Sequence, residues 1–101
     1  MSFRVIFDSE AMLEFQEAIE WYESRRSRLG VRFTLQVDKV ITAISLQPFQ
    51  FSKVGQRCRK ARVRGWPYTI YFIPNEVHAE VKIIAVWHGA RNPVKLRRRM
   101  K

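Results

Sequence analysis

The stretch that decides the fold covers residues 57–91 and reads RCRKARVRGWPYTIYFIPNEVHAEVKIIAVWHGAR. Turn-forming residues interrupt it at 65–67 and at 74–80, and they separate three runs rich in β-branched and aromatic residues. The three runs, roughly 57–64, 68–73 and 81–87, have the spacing of strands joined by hairpins. The sequence therefore predicts a three-stranded meander, and the nearly all-apolar third run predicts a central strand covered on both faces.

Within the first of these runs, cations occur at every second position. Lys60, Arg62 and Arg64 alternate with Ala61 and Val63. On a strand the three cations point to one side and the two apolar residues to the other. We therefore expect a half-buried sheet with a cationic outer face, and we expect function on that face.

The N-terminal half predicts a strand followed by a helix. Residues 3–7 (FRVIF) form a short apolar run, and Asp8 is a suitable N-cap for a helix over roughly 9–28. The apolar positions of this helix recur at helical spacing: Met12, Phe15, Ile19 and Tyr22. Glu10, Glu14 and Glu17 are expected on the opposite face. Six of the nine acidic residues lie between Asp8 and Glu23, which predicts a negatively charged, solvent-facing surface.

A second helix begins near Gly30 and ends at Pro48. The short link predicts an antiparallel helical hairpin, and residues 49–55 are interpreted as a loop that leads to the sheet. Because two helices intervene, the first strand is expected to join the sheet in parallel. The predicted fold is a single α+β domain over residues 1–101, in the order β-α-α-β-β-β. The helical hairpin packs on one face of a mainly antiparallel sheet, and residues 94–101 form a basic tail.

Composition restricts the partners and the chemistry. The 101 residues carry a net charge of +10, which indicates a polyanionic target, an acidic protein partner, or both. The flanking arginines would lower the pKa of Cys58, the one cysteine, although a structural role is favoured over a catalytic one. His78, His88 and Cys58 lack metal-ligand spacing, so we expect neither a metal nor another cofactor. No apolar run is long enough for a membrane span, and a cytoplasmic protein is expected.

Five segments together carry a resemblance to a known family. They are EAIEWYE in the first helix, LGVRF at the start of the second, QPFQF after it, RVRGWPYTIYF and AVWHGARNP. From Phe3 to about Leu96 the chain resembles the RelE/ParE superfamily of bacterial type II toxin–antitoxin systems. The resemblance implies a toxin that inhibits growth and stabilises plasmids. It also implies an acidic antitoxin that binds the toxin in a hetero-oligomer and neutralises it. The superfamily's β-α-α-β-β-β order agrees with the order predicted from periodicity.

The superfamily implies two alternative targets. RelE-like members are ribosome-dependent endoribonucleases that cut mRNA, and ParE-like members inhibit DNA gyrase. Cleavage through the RNA 2′-hydroxyl requires a general base and cations for the developing phosphate charge. The nuclease alternative would use Lys60, Arg62, Arg64, His88 and Arg91. However, the tail after Arg91 lacks the tyrosine or histidine of the RelE-like pattern, which favours the ParE branch and a non-enzymatic inhibitor.

The favoured interpretation assigns binding roles to a set of basic residues and assigns no catalytic residue. These residues would contact the target or the antitoxin: Lys60, Arg62, Arg64, His88, Arg91, Arg97 and Arg98. His88 has two interpretations of equal weight, a structural histidine bonded to its own loop or a catalytic group. A second alternative function is a non-toxic, basic nucleic-acid-binding module.

Overall fold

The structure, a computed structural model that describes residues 2–100, contains five strands and three α-helices in these residues. A single 3-10 turn, Pro48–Gln50, follows the second helix. The elements are β1 (Arg4–Phe7), α1 (Ser9–Arg25), α2 (Leu29–Leu46), β2 (Ser52–Val54), β3 (Cys58–Val63), β4 (Tyr68–Asn75), β5 (Glu80–His88) and α3 (Val94–Arg99). Met1 and Lys101, the two ends of the predicted domain and tail, lie outside the described residues.

The sheet has the strand order β1-β5-β4-β3-β2. Strand β1 pairs in parallel with β5, and the other three pairings are antiparallel. The α+β class, the meander and the parallel first strand are therefore confirmed. The predicted loop over residues 49–55 is wrong in part, because it contains the edge strand β2. Three residues (SKV) are too short to show the two-residue alternation by which strands are recognised.

The two long helices cover one face of the sheet. Helix α1 buries Ala11, Ala18 and Tyr22, and α2 buries Phe33 and Val37 among others. These residues form one core with Ala61, Val63, Ile70, Phe72, Val81, Ile83 and Val86 of the sheet. Of the predicted apolar positions of α1, Phe15, Ile19 and Tyr22 contact this core, whereas Met12 is exposed and Ala11 takes the buried position beside it.

A carboxylate from α1 holds the start of α2. Arg28 adopts a left-handed conformation with φ 72° at the N-terminus of α2. The Glu23 carboxylate accepts hydrogen bonds from the backbone N–H groups of Arg28 (2.8 Å) and Gly30 (3.0 Å). These contacts satisfy N–H groups that a helix start otherwise leaves without partners. They fix the helical hairpin that the sequence predicts.

A bulge in β5 sets which side chains reach each face. Tyr71 pairs with Ala85 and Phe72 pairs with Ile83, which leaves Ile84 as the extra residue. Before the bulge Ile83 faces the helices, and after it Val86 does. Ala85 and Trp87 therefore face outward, where Leu96 of α3 packs on them. The basic tail thus contains a helix that covers part of the outer face. None of the described helices is long and apolar enough to cross a membrane.

Candidate functional site

The cationic row is present on β3 for Lys60 and Arg62, but Arg64 lies in the turn after β3, which ends at Val63. Lys60, Arg62 and Arg64 are exposed, whereas Ala61 and Val63 are buried under the helices. The register places Lys60 opposite Tyr71 and Arg62 opposite Thr69 of β4.

The end of this row lies at an open edge of the sheet. Strand β2 pairs with β3 only as far as Lys60, so residues 61–64 have no strand on that side. Arg62 and Arg64 line a shallow groove there with Lys39 and Val40 of α2. The row is therefore accessible both from the outer face and from the sheet edge.

His88 lies on the opposite face of the sheet from Lys60 and Arg62. Its half-buried ring contacts the edge of Tyr68, with ring centroids 5.1 Å apart. Its Nδ1 accepts a hydrogen bond from the Ala90 N–H at 3.0 Å. The neutral ring therefore carries its proton on Nε2. The contact with its own loop is the one that the structural interpretation of His88 predicts.

Glu14 is the centre of an ion-pair network at the end of the sheet. Its carboxylate accepts hydrogen bonds from the Val86 N–H (3.0 Å), from Nη1 of Arg91 (2.6 Å) and from both Nη atoms of Arg99 (3.0 and 2.9 Å). The Glu14 and Arg99 side chains are only 11% and 12% exposed. Glu10 adds a second, more exposed carboxylate 3.3 Å from Arg99. The network joins α1, β5 and α3.

The network also closes an open edge of β5. Pairing with β1 stops at the Phe7–Ile83 position, so the following backbone groups of β5 have no strand partner on that side. Glu14 accepts from the Val86 N–H, and Nη1 of Arg99 donates to the Ile84 carbonyl at 3.1 Å. Side chains thus replace a missing strand, which satisfies backbone groups that would otherwise be costly to bury.

Two arginines of this network contact the ring of Trp87. The Arg91 guanidinium carbon lies 3.7 Å from the ring centroid, and that of Arg99 lies 5.2 Å from it. Burial disfavours the charged guanidinium of Arg99, but the hydrogen bonds and negative charge of Glu14 outweigh it and raise the Arg99 pKa. Arg91 and Arg99 therefore both bind within the fold, to the Glu14 carboxylate and the Trp87 ring.

The structure corrects one prediction for α1 and adds one residue of the tail. Glu14 does not belong to a solvent-facing acidic surface, because it lies on the buried stripe of Ala11, Ala18 and Tyr22. The predicted binding residues include the exposed Arg97 and Arg98 but not their neighbour Arg99. Spacing carries a signal for both: Glu14 is three residues after Ala11, and Arg99 is three residues after Leu96. Residues at this spacing share a helix face.

His88 and Arg91 come together at a cleft of about 400 Å³ between α1 and the end of β5. Its other lining residues include Glu14, Glu17, Trp21, Tyr22 and Tyr68. Trp21 is half-exposed, and Arg25 stacks 4.4 Å from its ring centroid. Lys60, Arg62 and Arg64 are not among the residues that line this cleft. Arg97 lines a separate groove with Arg57 and Met100.

Cys58 is fully buried, and burial raises the pKa of its thiol to about 11. The expectation that its flanking arginines would lower this pKa is wrong, because desolvation of the thiolate dominates. The structural role of Cys58 agrees with this environment. Within residues 2–100, no group of three or more histidine, cysteine or acidic residues is placed to hold a metal ion.

Comparison with known proteins identifies the family. The family model of the ParE toxin of the type II toxin–antitoxin system parDE matches residues 5–93. The chain belongs to the ParE toxin family. The match begins within β1, includes the helical hairpin and the other four strands, and ends just before α3. No curated protein matches the sequence.

Solved structures share the fold of this ParE-family chain at low sequence identity. A chain of the chromosomal ParDE toxin–antitoxin system from P. aeruginosa aligns with a TM-score of 0.72 and 12% identity, covering 86% of this chain and 96% of the other. A chain of the intact E. coli RelBE toxin–antitoxin complex aligns with a TM-score of 0.68 and 19% identity, and the alignment covers 89% of this chain and 100% of the other. The isolated E. coli RelE toxin also aligns with a TM-score of 0.68 and 19% identity, and the alignment covers 99% of this chain and 100% of the other. The RelE/ParE-like fold is therefore confirmed.

Proposed function

We propose that the chain is the toxin of a type II toxin–antitoxin pair and acts by binding DNA gyrase, without a cofactor. Membership of the ParE family over residues 5–93 supports the toxin role. One observation favours binding over RNA cleavage. His88 lies on the helix-facing side of the sheet, whereas Lys60 and Arg62 leave β3 on the outer face.

A nuclease needs these groups around a single phosphodiester. The general base must come within about 3 Å of the 2′-hydroxyl proton, and the cations must contact the same phosphate. A base and cations on opposite faces of a sheet do not converge in this way. Arg91, another cation of the nuclease alternative, is paired with Glu14. Burial also raises the pKa of Tyr71, which lies beside Lys60, and this disfavours its use as a phenolate base.

The contact surfaces follow from the charge distribution. The outer face of β3 carries Lys60 and Arg62, the turn after β3 carries Arg64, and α3 adds Arg97 and Arg98; these form the proposed surface for the target. Two of the similar structures come from systems named for a toxin and its antitoxin, ParDE and RelBE. By analogy, an acidic, amphipathic antitoxin segment would bind in the cleft between α1 and β5 and form a hetero-oligomer. The toxin would act in the cytoplasm, where gyrase and its DNA are found.

Induction of the chain in a bacterial host without its antitoxin tests this proposal. We expect growth arrest with an SOS response, filamentation and gyrase-linked DNA breaks, while translation continues. The Arg62→Glu/Arg64→Glu variant should lose the arrest, because it reverses two charges on the proposed target surface. Arg26→Glu/Arg32→Glu, at two exposed positions of the helical hairpin, reverses the same number of charges and should remain toxic. Rapid loss of protein synthesis with codon-phased mRNA cuts would instead establish the nuclease alternative.

A further inference from the structure

Two cations face each other across the β2–β3 pair, at the opposite end of β3 from Arg62 and Arg64. Lys53 of β2 is the direct partner of Arg59 of β3 in the antiparallel register. Side chains directly opposite each other in such a pair lie about 5 Å apart at Cβ, and like charges there repel. A bound anion between them would remove this repulsion.

Arg59 is held in place by neutral groups. Its Nη1 donates to the backbone carbonyls of Phe49 (3.1 Å) and Phe51 (2.7 Å). These contacts orient the guanidinium without cancelling its charge. The remaining N–H groups of the planar fork are suited to phosphate or carboxylate oxygens.

An exposed aromatic ring lies beside this guanidinium. The Phe49 side chain is 45% exposed, and the Arg59 guanidinium carbon lies 5.2 Å from its ring centroid. Both border a cleft of about 410 Å³ with Lys53 and the Asn75 amide. Among the lining residues of this cleft, Glu76 is the single acid against three cations.

We propose that this cleft binds a nucleotide, with its phosphate between Lys53 and Arg59 and its base against Phe49. Cations beside an exposed aromatic ring are the combination by which proteins bind single-stranded nucleic acid with little sequence preference. An acidic peptide would use the cations but would gain little from the ring. The site lies outside the proposed gyrase-binding surface, so it does not depend on that function.

Fluorescence anisotropy with a labelled single-stranded oligonucleotide tests this site in the folded full-length chain. Lys53→Ala should weaken binding about tenfold, as expected for a lost charged contact. It should also reduce the slope of log affinity against log salt by about 0.7, the share of one single-strand phosphate. Phe49→Ala should weaken binding by about tenfold through lost stacking. Arg32→Ala removes an equal charge from α2 and should change neither quantity. Circular dichroism confirms that each variant is folded.

Competition then identifies the ligand. If AMP displaces the oligonucleotide with a similar affinity, the cleft is a mononucleotide site. If AMP binds much more weakly than the oligonucleotide, the cleft is a site for a nucleic-acid strand. Either result supports the proposal, provided that Lys53→Ala and Phe49→Ala both act. Equal losses for Lys53→Ala and Arg32→Ala would overturn it, since they would indicate a diffuse charge effect. Absence of binding, an unaffected Phe49→Ala variant, or equally effective displacement by polyglutamate would also overturn it.

Discussion

Replacement of Glu14 by alanine should destabilise the fold more than any other single acidic substitution in α1. Glu14 accepts hydrogen bonds from two arginines and from the Val86 N–H, and its side chain is only 11% exposed. Removal of one partner from a buried ion pair costs about 3–5 kcal/mol, because the other charge remains buried. Two features of this network reduce the cost. Arg91 is 41% exposed and can turn toward water, and Glu10 remains near Arg99.

We therefore expect a loss of about 3 kcal/mol in the free energy of unfolding for Glu14→Ala. Urea denaturation followed by tryptophan fluorescence measures this loss, since Trp87 lies against both arginines. For a domain of this size the midpoint should fall by roughly 1–3 M urea. Glu14→Gln should lose about half as much, because its amide oxygen still accepts from the Val86 N–H. Glu20→Ala, on the exposed side of the same helix, should stay within about 0.5 kcal/mol of the wild type.

A double variant separates the buried charge from the lost packing. In the Glu14→Ala background, Arg99→Met removes the unpaired cation and should restore about 1 kcal/mol or more. The reasoning would be refuted if Glu14→Ala were as mild as Glu20→Ala. It would also be refuted if Arg99→Met destabilised both backgrounds equally, because the two residues would then not be coupled.

Three further predictions concern a glycine, the cysteine and the histidine. Gly30→Ala should cost about 1–2 kcal/mol in urea denaturation despite its better helix propensity, because the new Cβ would lie 2.8 Å from the Ile19 carbonyl oxygen; a change below about 0.3 kcal/mol would contradict this. Burial raises the pKa of the Cys58 thiol to about 11, so the folded state holds this proton longer than the unfolded state. Wild-type stability should therefore fall more steeply than that of Cys58→Ala as pH rises from the ordinary thiol range to about 11, and equal slopes would contradict this. His88→Asn retains an acceptor near the Ala90 N–H and should remain toxic on induction; a folded but inactive variant would favour the nuclease alternative.

The sequence was most informative where local periodicity determines structure. The alternation of Lys60 and Arg62 with buried Ala61 and Val63 follows from strand geometry alone, and the structure has it as predicted, whereas Arg64 lies in the turn beyond the strand. Local spacing places Glu14 and Arg99 each on the buried face of its helix, but it does not show that they pair, because they are 85 positions apart. The predicted direction of the Cys58 pKa shift was wrong, because the thiol is buried in the folded chain and sequence neighbours alone do not show this burial. His88 was placed at the correct strand end, but the bulge at Ile84 decides which face its ring occupies.

A supercoiling assay measures directly whether the chain inhibits DNA gyrase. Purified chain is added to DNA gyrase, ATP and relaxed plasmid, and a parallel ribosome reaction with end-labelled mRNA measures cleavage. We expect the chain to inhibit supercoiling in proportion to its concentration, the Arg62→Glu/Arg64→Glu variant to fail to inhibit, and the mRNA to remain intact. Uninhibited gyrase together with ribosome-dependent mRNA cuts would contradict this proposal.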